Sequence, residues 1–129
     1  MNRHLPDEHF VIKDSGQREE FDTGSVRDTR EGKGRFDLIS PFALERLAQW
    51  YEMGATKYGE RNWEKGQPVS RFMDSALRHL NRHMQGHRDE DHLSAALWNV
   101  AAIIHIEAVA GRGLLPAELF DLPDYGEAS

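Results

Sequence analysis

His79, His83 and His87 stand at i, i+4 and i+8. Imidazoles four residues apart share one face of a helix, the spacing that metal-binding helices use. Asp74 and Arg78 form another i, i+4 pair in the same segment, and Asp89, Glu90, Asp91 and His92 follow a short way on. Joined by a short turn, the two segments are antiparallel neighbours, and their carboxylates and imidazoles converge where a divalent cation would be suited. Seven histidines in a chain that is 29% charged also make such pairs by chance, so the full ladder has a plain surface reading. His79 stands apart. It is flanked by Leu77 and Leu80 and lies one turn past Ser75, which places it toward the seam between the two segments.

A second concentration of chemistry is K-Y-G-E-R-N-W-E-K-G, Lys57 to Gly66. It carries three cations, an amide and two large aromatics between two apolar segments. A plain connection needs only glycine and polar residues. Tyr58 and Trp63 are costly to expose and serve most often as core anchors, but Lys57, Arg61 and Asn62 beside them favour a ligand-binding loop. Asn99 raises a third question, because it sits in the apolar run A-A-L-W-N-V-A-A-I-I. An unpaired buried amide costs roughly 1–3 kcal/mol, so Asn99 needs a partner. That partner is either a neighbouring helix or a ligand in the groove left by Ala95 and Ala96.

Other chemistries are excluded. The chain has no cysteine, hence no disulfide, thiolate zinc site or Cys nucleophile. It has no G-x-x-x-x-G-K-[ST] loop, no strand-linked G-x-G-x-x-G and no G-x-S-x-G elbow. R-H-L is not followed by the paired His-Asp of H-D-type phosphohydrolases. A net charge of −6 argues against a general nucleic-acid binder.

The elements that must position these residues are helical. Ser40 as N-cap and Pro41 at N1 start a helix that runs to Tyr58, with Leu44, Leu47, Ala48 and Tyr51 as its inner face and Gly59 as its stop. Ser70 caps a second helix with Met73, Leu77, Leu80 and Met84 on its apolar side, ended by Gly86. A third begins in D-E-D-H, where acidic residues suit a helix N-terminus. Its stripe is Leu93, Ala96, Leu97, Val100 and Ile104, and Gly111 or Gly113 ends it. Apolar nearly all round, it is the central helix. The tail adds one short turn from Pro116. Residues 13–35 show no sustained period and read as a loop or flexible arm, so the expected organisation is a polar arm over 1–35 and a helical domain over 36–129. The expected fold is all-α, a compact bundle of about three main helices, with a core thin enough to favour a homo-oligomer. No apolar run is expected to span a bilayer. The N-terminal M-N-R-H-L-P-D-E-H lacks a signal-peptide h-region, and the expected location is cytoplasmic.

K-Y-G-E-R-N-W-E-K-G, then S-A-L-R-H-L, then D-E-D-H-L-S-A-A-L-W-N, together with R-F-D-L-I-S-P-F-A-L-E-R-L-A, resembles the phage and bacterial dATP/dGTP diphosphohydrolase family. That family is similar to the MazG-like all-α nucleoside triphosphate pyrophosphohydrolases. The likeness runs from about Gly24 to Ile104. It implies metal-dependent hydrolysis of a purine deoxynucleoside triphosphate, dGTP favoured and dATP allowed, to monophosphate and pyrophosphate. It also implies a homo-oligomer, dimer or tetramer, in a bacterial or phage-infected host cytoplasm, with no nucleic-acid or membrane partner. The chain departs from the E-E-x-x-E and E-x-x-D magnesium motifs of MazG-like enzymes. It offers Asp74, His79, Asp91 and His92 as metal ligands for Mg2+ or Mn2+, with His79, His92 and Asp91 as the catalytic group. On this reading Arg78, Lys33, Arg35, Lys57 and Arg61 meet phosphate. Tyr58 or Trp63 stacks on the base, and Asn62 or Asn99 reads a base or sugar edge. A non-catalytic nucleotide-binding regulator and a structural phage accessory oligomer are the competing readings.

Overall fold

The computed structural model describes residues 10–127. The absent h-region and the start of the arm concern residues 1–9, outside the described residues. The chain divides into two compact units, Met1–Leu38 and Ile39–Ser129.

In the first unit a small antiparallel hairpin forms where no regular structure was expected. β1 (Arg18–Glu20) pairs with β2 (Val26–Asp28), Arg18 opposite Asp28 and Glu20 opposite Val26. Three-residue strands are too short to show a period of two, and the turn between them carries the signal. Gly24 sits at φ 84° and donates its N–H to the Phe21 carbonyl at 2.8 Å, a conformation that glycine adopts without steric cost. No described residue of this unit is buried. Charge holds it together: Arg18 with Asp14 at 2.6 Å, Lys33 with Asp28 at 3.0 Å, and Arg35 with Asp37 at 2.8 Å. The Ser15 hydroxyl and Lys33 lower the Asp28 carboxyl to about 2.

The second unit is the all-α body: α1 (Pro41–Tyr58), a 3-10 turn (Asn62–Lys65), α2 (Val69–Met84), α3 (His92–Gly111) and a short 3-10 turn (Ala117–Leu119). Ser40 caps α1 by accepting from the Ala43 N–H at 3.2 Å, Pro41 opens it and Gly59 closes it. The start of α2 differs from expectation. Pro68 is the residue before its first turn, and Ser70 lies inside the helix with its N–H donated to Asp121 Oδ1 at 2.9 Å. The tail thus supplies the carboxylate that an N-cap side chain would otherwise provide. Leu115 and Leu119 of the same tail pack against the core, and a Cβ at Gly66 would come within 2.9 Å of Leu119 Cδ1.

The core is the α2–α3 seam: Val69, Phe72, Ala102, Ile103 and Ile106, with Trp63, Met73 and Trp98 packed on it. The buried faces are displaced from those expected. On α2 the buried residues are Val69, Phe72, Ala76 and His79, while Leu77, Leu80 and Met84 are exposed. On α3 they include Ala95, Ala96, Asn99, Ala102 and Ile106, while Leu93, Leu97, Val100 and Ile104 are exposed. Small side chains on α3 let α2 approach closely, so the alanine-rich face of α3 meets Val69, Phe72, Ala76 and His79 of α2, and the bulkier row of α3 points away. On α1 none of the 18 residues is buried; Leu47 and Tyr51 are half-buried, and Leu44 and Ala48 are exposed. By length and hydropathy α3 would also suffice to cross a membrane, contrary to the expectation of no such run. Here it carries the buried polar residues His92, Ser94 and Asn99 against α2.

Candidate functional site

His79 and His92 meet across the α2–α3 seam. Both are buried, and their Nδ1 atoms are 2.8 Å apart. Their position follows from local signals. His79 is the last member of the Val69, Phe72, Ala76, His79 face, and His92 opens α3 directly after its cap. His92 Nε2 lies 2.9 Å from Asp89 Oδ1. A carboxylate only accepts, so His92 carries its proton on Nε2, and a neutral His92 presents a lone pair at Nδ1. His79 then donates from Nδ1 and keeps its lone pair on Nε2. Burial lowers the His79 pKa, with Glu90 opposing the shift. The His92 hydrogen bond holds the Asp89 carboxyl below its ordinary range. Trp50 closes one side, its ring edge-on to His79 with centroids 6.1 Å apart.

A carboxylate oxygen of Glu90 joins these two imidazoles, with all three candidate ligand atoms within 4.8 Å of one another. His79, Glu90 and His92 could therefore hold a metal ion. The donor set fits one. A histidine whose distal N–H is fixed by a carboxylate is the usual form of a metal-bound imidazole. Two nitrogens and one carboxylate suit manganese or another transition ion better than magnesium, which prefers oxygen throughout.

Asp91 is engaged differently. It is the N-cap of α3, accepting from the Ser94 N–H at 3.1 Å and the Ser94 hydroxyl at 2.7 Å. It also takes both ends of the Arg46 guanidinium from α1, at 3.0 and 2.5 Å. Arg46 first, then Ser94, lowers its carboxyl to about 2. Asp74 is exposed and outside the His–Glu–His group, and His83 and His87 also lie outside it.

A cavity of about 690 Å³ opens among α1, the 3-10 turn, α2 and α3. Tyr58, Arg61, Asn62, Trp63 and Asn99 line it. So do Tyr51, Arg71, Ser75 and Trp98, which the sequence reading did not assign to a site. Arg71 and Ser75 were accessible from sequence, since they stand at i, i+4 on the helix that carries His79. Trp63 is braced edge-on by Tyr51, Trp98 and His105, the last with centroids 4.7 Å apart. Arg61 holds a left-handed backbone at φ 57°, the one non-glycine residue with positive φ among the described residues, and pairs with Glu64. Backbone strain of this kind gathers at ligand sites.

The remaining candidates sit around or apart from this wall. Lys57 does not line the cavity; its ammonium lies 5.0 Å from the Tyr58 ring centroid. Arg78 is exposed and donates to Ser75 Oγ at 3.3 Å. Lys33 and Arg35 belong to the first unit, paired with Asp28 and Asp37. Along α2, Ser75 stands about one turn, roughly 6 Å, before His79, whereas along α3 Asn99 lies about two turns, roughly 10 Å, past His92.

These features define an all-α domain with an aromatic- and arginine-lined cavity on the same helix seam as a His–Glu–His cluster. Residues 23–112 match the family model described as dATP/dGTP diphosphohydrolase, N-terminal, and the chain belongs to that family. The family is one of hydrolases in nucleotide metabolism. No curated protein and no solved structure matches the chain.

Proposed function

We propose that the chain hydrolyses a purine deoxynucleoside triphosphate, dGTP or dATP, to the monophosphate and pyrophosphate with a divalent metal. The observation that carries this reading is the cavity of about 690 Å³, walled by Tyr58, Trp63 and Trp98 and by Arg61 and Arg71. Flat aromatics suit a base, and planar guanidinium groups suit phosphate. Water attacks the α-phosphorus, the bond from that phosphorus to the bridging oxygen breaks, and pyrophosphate leaves with the electron pair.

In this reading Tyr58 and Trp63 flank the base, while Arg61 and Arg71 neutralise the phosphates. Lys57 and Arg78, each beside a lining residue, add cationic charge. His79, Glu90 and His92 would hold the ion, which when bound polarises phosphoryl oxygens and activates water. Asp89 orients His92, and Asp91 fixes the start of α3 through Ser94 and Arg46. Manganese is the ion we favour. The exposed row Leu93, Leu97, Val100 and Ile104 is the surface on which a second copy would pack, making a homo-oligomer in the cytoplasm.

Each dNTP and NTP, incubated with the protein in Mn2+ or Mg2+, is separated from its products by anion exchange. Monophosphate and pyrophosphate from a purine deoxynucleotide are expected. Intact triphosphate with retained binding would mean a nucleotide-binding regulator instead. Intact triphosphate without binding would remove the nucleotide reading altogether.

A further inference from the structure

Asn99 is 5% exposed and lines the cavity. Its Nδ2 donates to the Ala95 carbonyl at 2.8 Å and to Ser75 Oγ at 3.3 Å. A carbonyl oxygen only accepts, so the atom facing Ala95 must be the amide nitrogen, and the orientation of the group is fixed. Both amide hydrogens are therefore used. Oδ1 accepts from no described residue, yet no buried side-chain polar atom among the described residues lacks a partner. That oxygen therefore opens onto the cavity. Ser75 Oγ accepts from Asn99 and also from Arg78 Nη2 at 3.3 Å, which occupies its lone pairs and holds it as the amide's second anchor.

We infer that Asn99 is a specificity-determining residue that presents only an acceptor, Oδ1, to the cavity, and that it selects ligands presenting an exocyclic amino group. Ser75 is the positioning residue that keeps the carboxamide turned this way. The inference rests on the nucleotide reading of the cavity and deepens it. Adenine and guanine each carry one exocyclic amino group; purine without substituents and hypoxanthine are their counterparts without it. A ligand lacking that donor leaves Oδ1 desolvated and unpaired against the base, a loss worth about tenfold in affinity. A fixed acceptor discriminates more sharply than a hydroxyl, which can turn to donate or accept.

The test is titration calorimetry in Mn2+ with α,β-methylene triphosphates, whose methylene bridge cannot be hydrolysed. Two pairs are compared: the adenine nucleotide with its unsubstituted-purine counterpart, and the guanine nucleotide with its hypoxanthine counterpart. The wild-type chain is expected to hold the amino-bearing member about tenfold more tightly in whichever pair binds. Asn99→Leu should close that gap while still binding both members. Should that variant fail to fold by circular dichroism, Ser75→Ala should narrow the gap with its fold intact. Equal wild-type affinities within both pairs would overturn the inference and leave the nucleotide reading standing. Absence of binding by all four compounds would overturn both.

Discussion

On one side of α3, Ala95, Ala102 and Ile106 are 0% exposed; on the other, Leu97, Val100 and Ile104 are 44%, 43% and 61% exposed. The two faces belong to one helix of nearly uniform hydropathy, so apolar character does not distinguish them. Side-chain volume does. The buried face is built from small residues that let α2 come close, with Ile106 and Ile103 filling the far end. The outer face carries branched chains that the other described residues leave 38–61% exposed. Burial of a fully enclosed side chain contributes roughly 1.5–3 kcal/mol, and the outer row contributes little of that as the chain stands alone.

The contrast can be broken by mutation. Ile106→Ala should lower the unfolding free energy by about 2–5 kcal/mol in urea denaturation, the range for emptying a packed core position. Ile104→Ala should cost under ~1 kcal/mol in a dilute monomer. A loss at Ile104 matching that at Ile106 would show that the outer face is covered by another molecule. Metal comes next in size. Mn2+ at about a hundred times its dissociation constant should add about 2.7 kcal/mol of stability, read as a rise in Tm. Both His79→Ala and His92→Ala should abolish that rise while their metal-free Tm stays measurable.

Sedimentation sharpens the outer face directly. Leu97→Lys should shift any assembled species to monomer and remove the concentration dependence of Tm. A wild-type chain that is monomeric throughout would leave the outer row unpartnered and end the proposal of a homo-oligomer. A small effect concerns Asp91, whose replacement by Ala should cost about 1 kcal/mol through loss of the cap, and by Asn less. Its carboxyl titrates at about 2 in the fold against 3.8 without it. Its contribution is therefore complete above 3.8 and declines as pH falls through 2. An acid titration in which wild type and Asp91→Asn differ equally at every pH would contradict this.

Much of the frame was legible because it is written in local signals. Ser40, Pro41 and Gly59 bound α1 where the structure does, and the acidic run before His92 marks the start of α3. The meeting of His79 and His92 followed from two antiparallel helices and a short turn. Three things were not legible, each for a physical reason. The inner face of α3 depends on which residues are small enough for close approach, and that of α2 on what fits against it, whereas periodicity ranks side chains by apolarity. Glu90 as the third member of the cluster depends on the turn's backbone path. Asp91 carried a usable signal, because an Asp directly before the first helical residue is a cap before it is anything else. Asp121 left no trace in any local pattern, since its partner Ser70 lies 51 residues earlier.

That last bond also fixes an order of events. The chain is made from its N-terminus, so α2 leaves the ribosome long before the carboxylate that caps it. Until Asp121 arrives, the first turn of α2 has an amide to satisfy with water, and Gly66 lacks the cover of Leu115 and Leu119. The family match ends at residue 112, before all three. A chain released there would keep every helix that builds the cavity and lose the part that finishes the wall bearing Arg71. The tail is thus made after α2 and is a condition for the first turn of that helix to be complete.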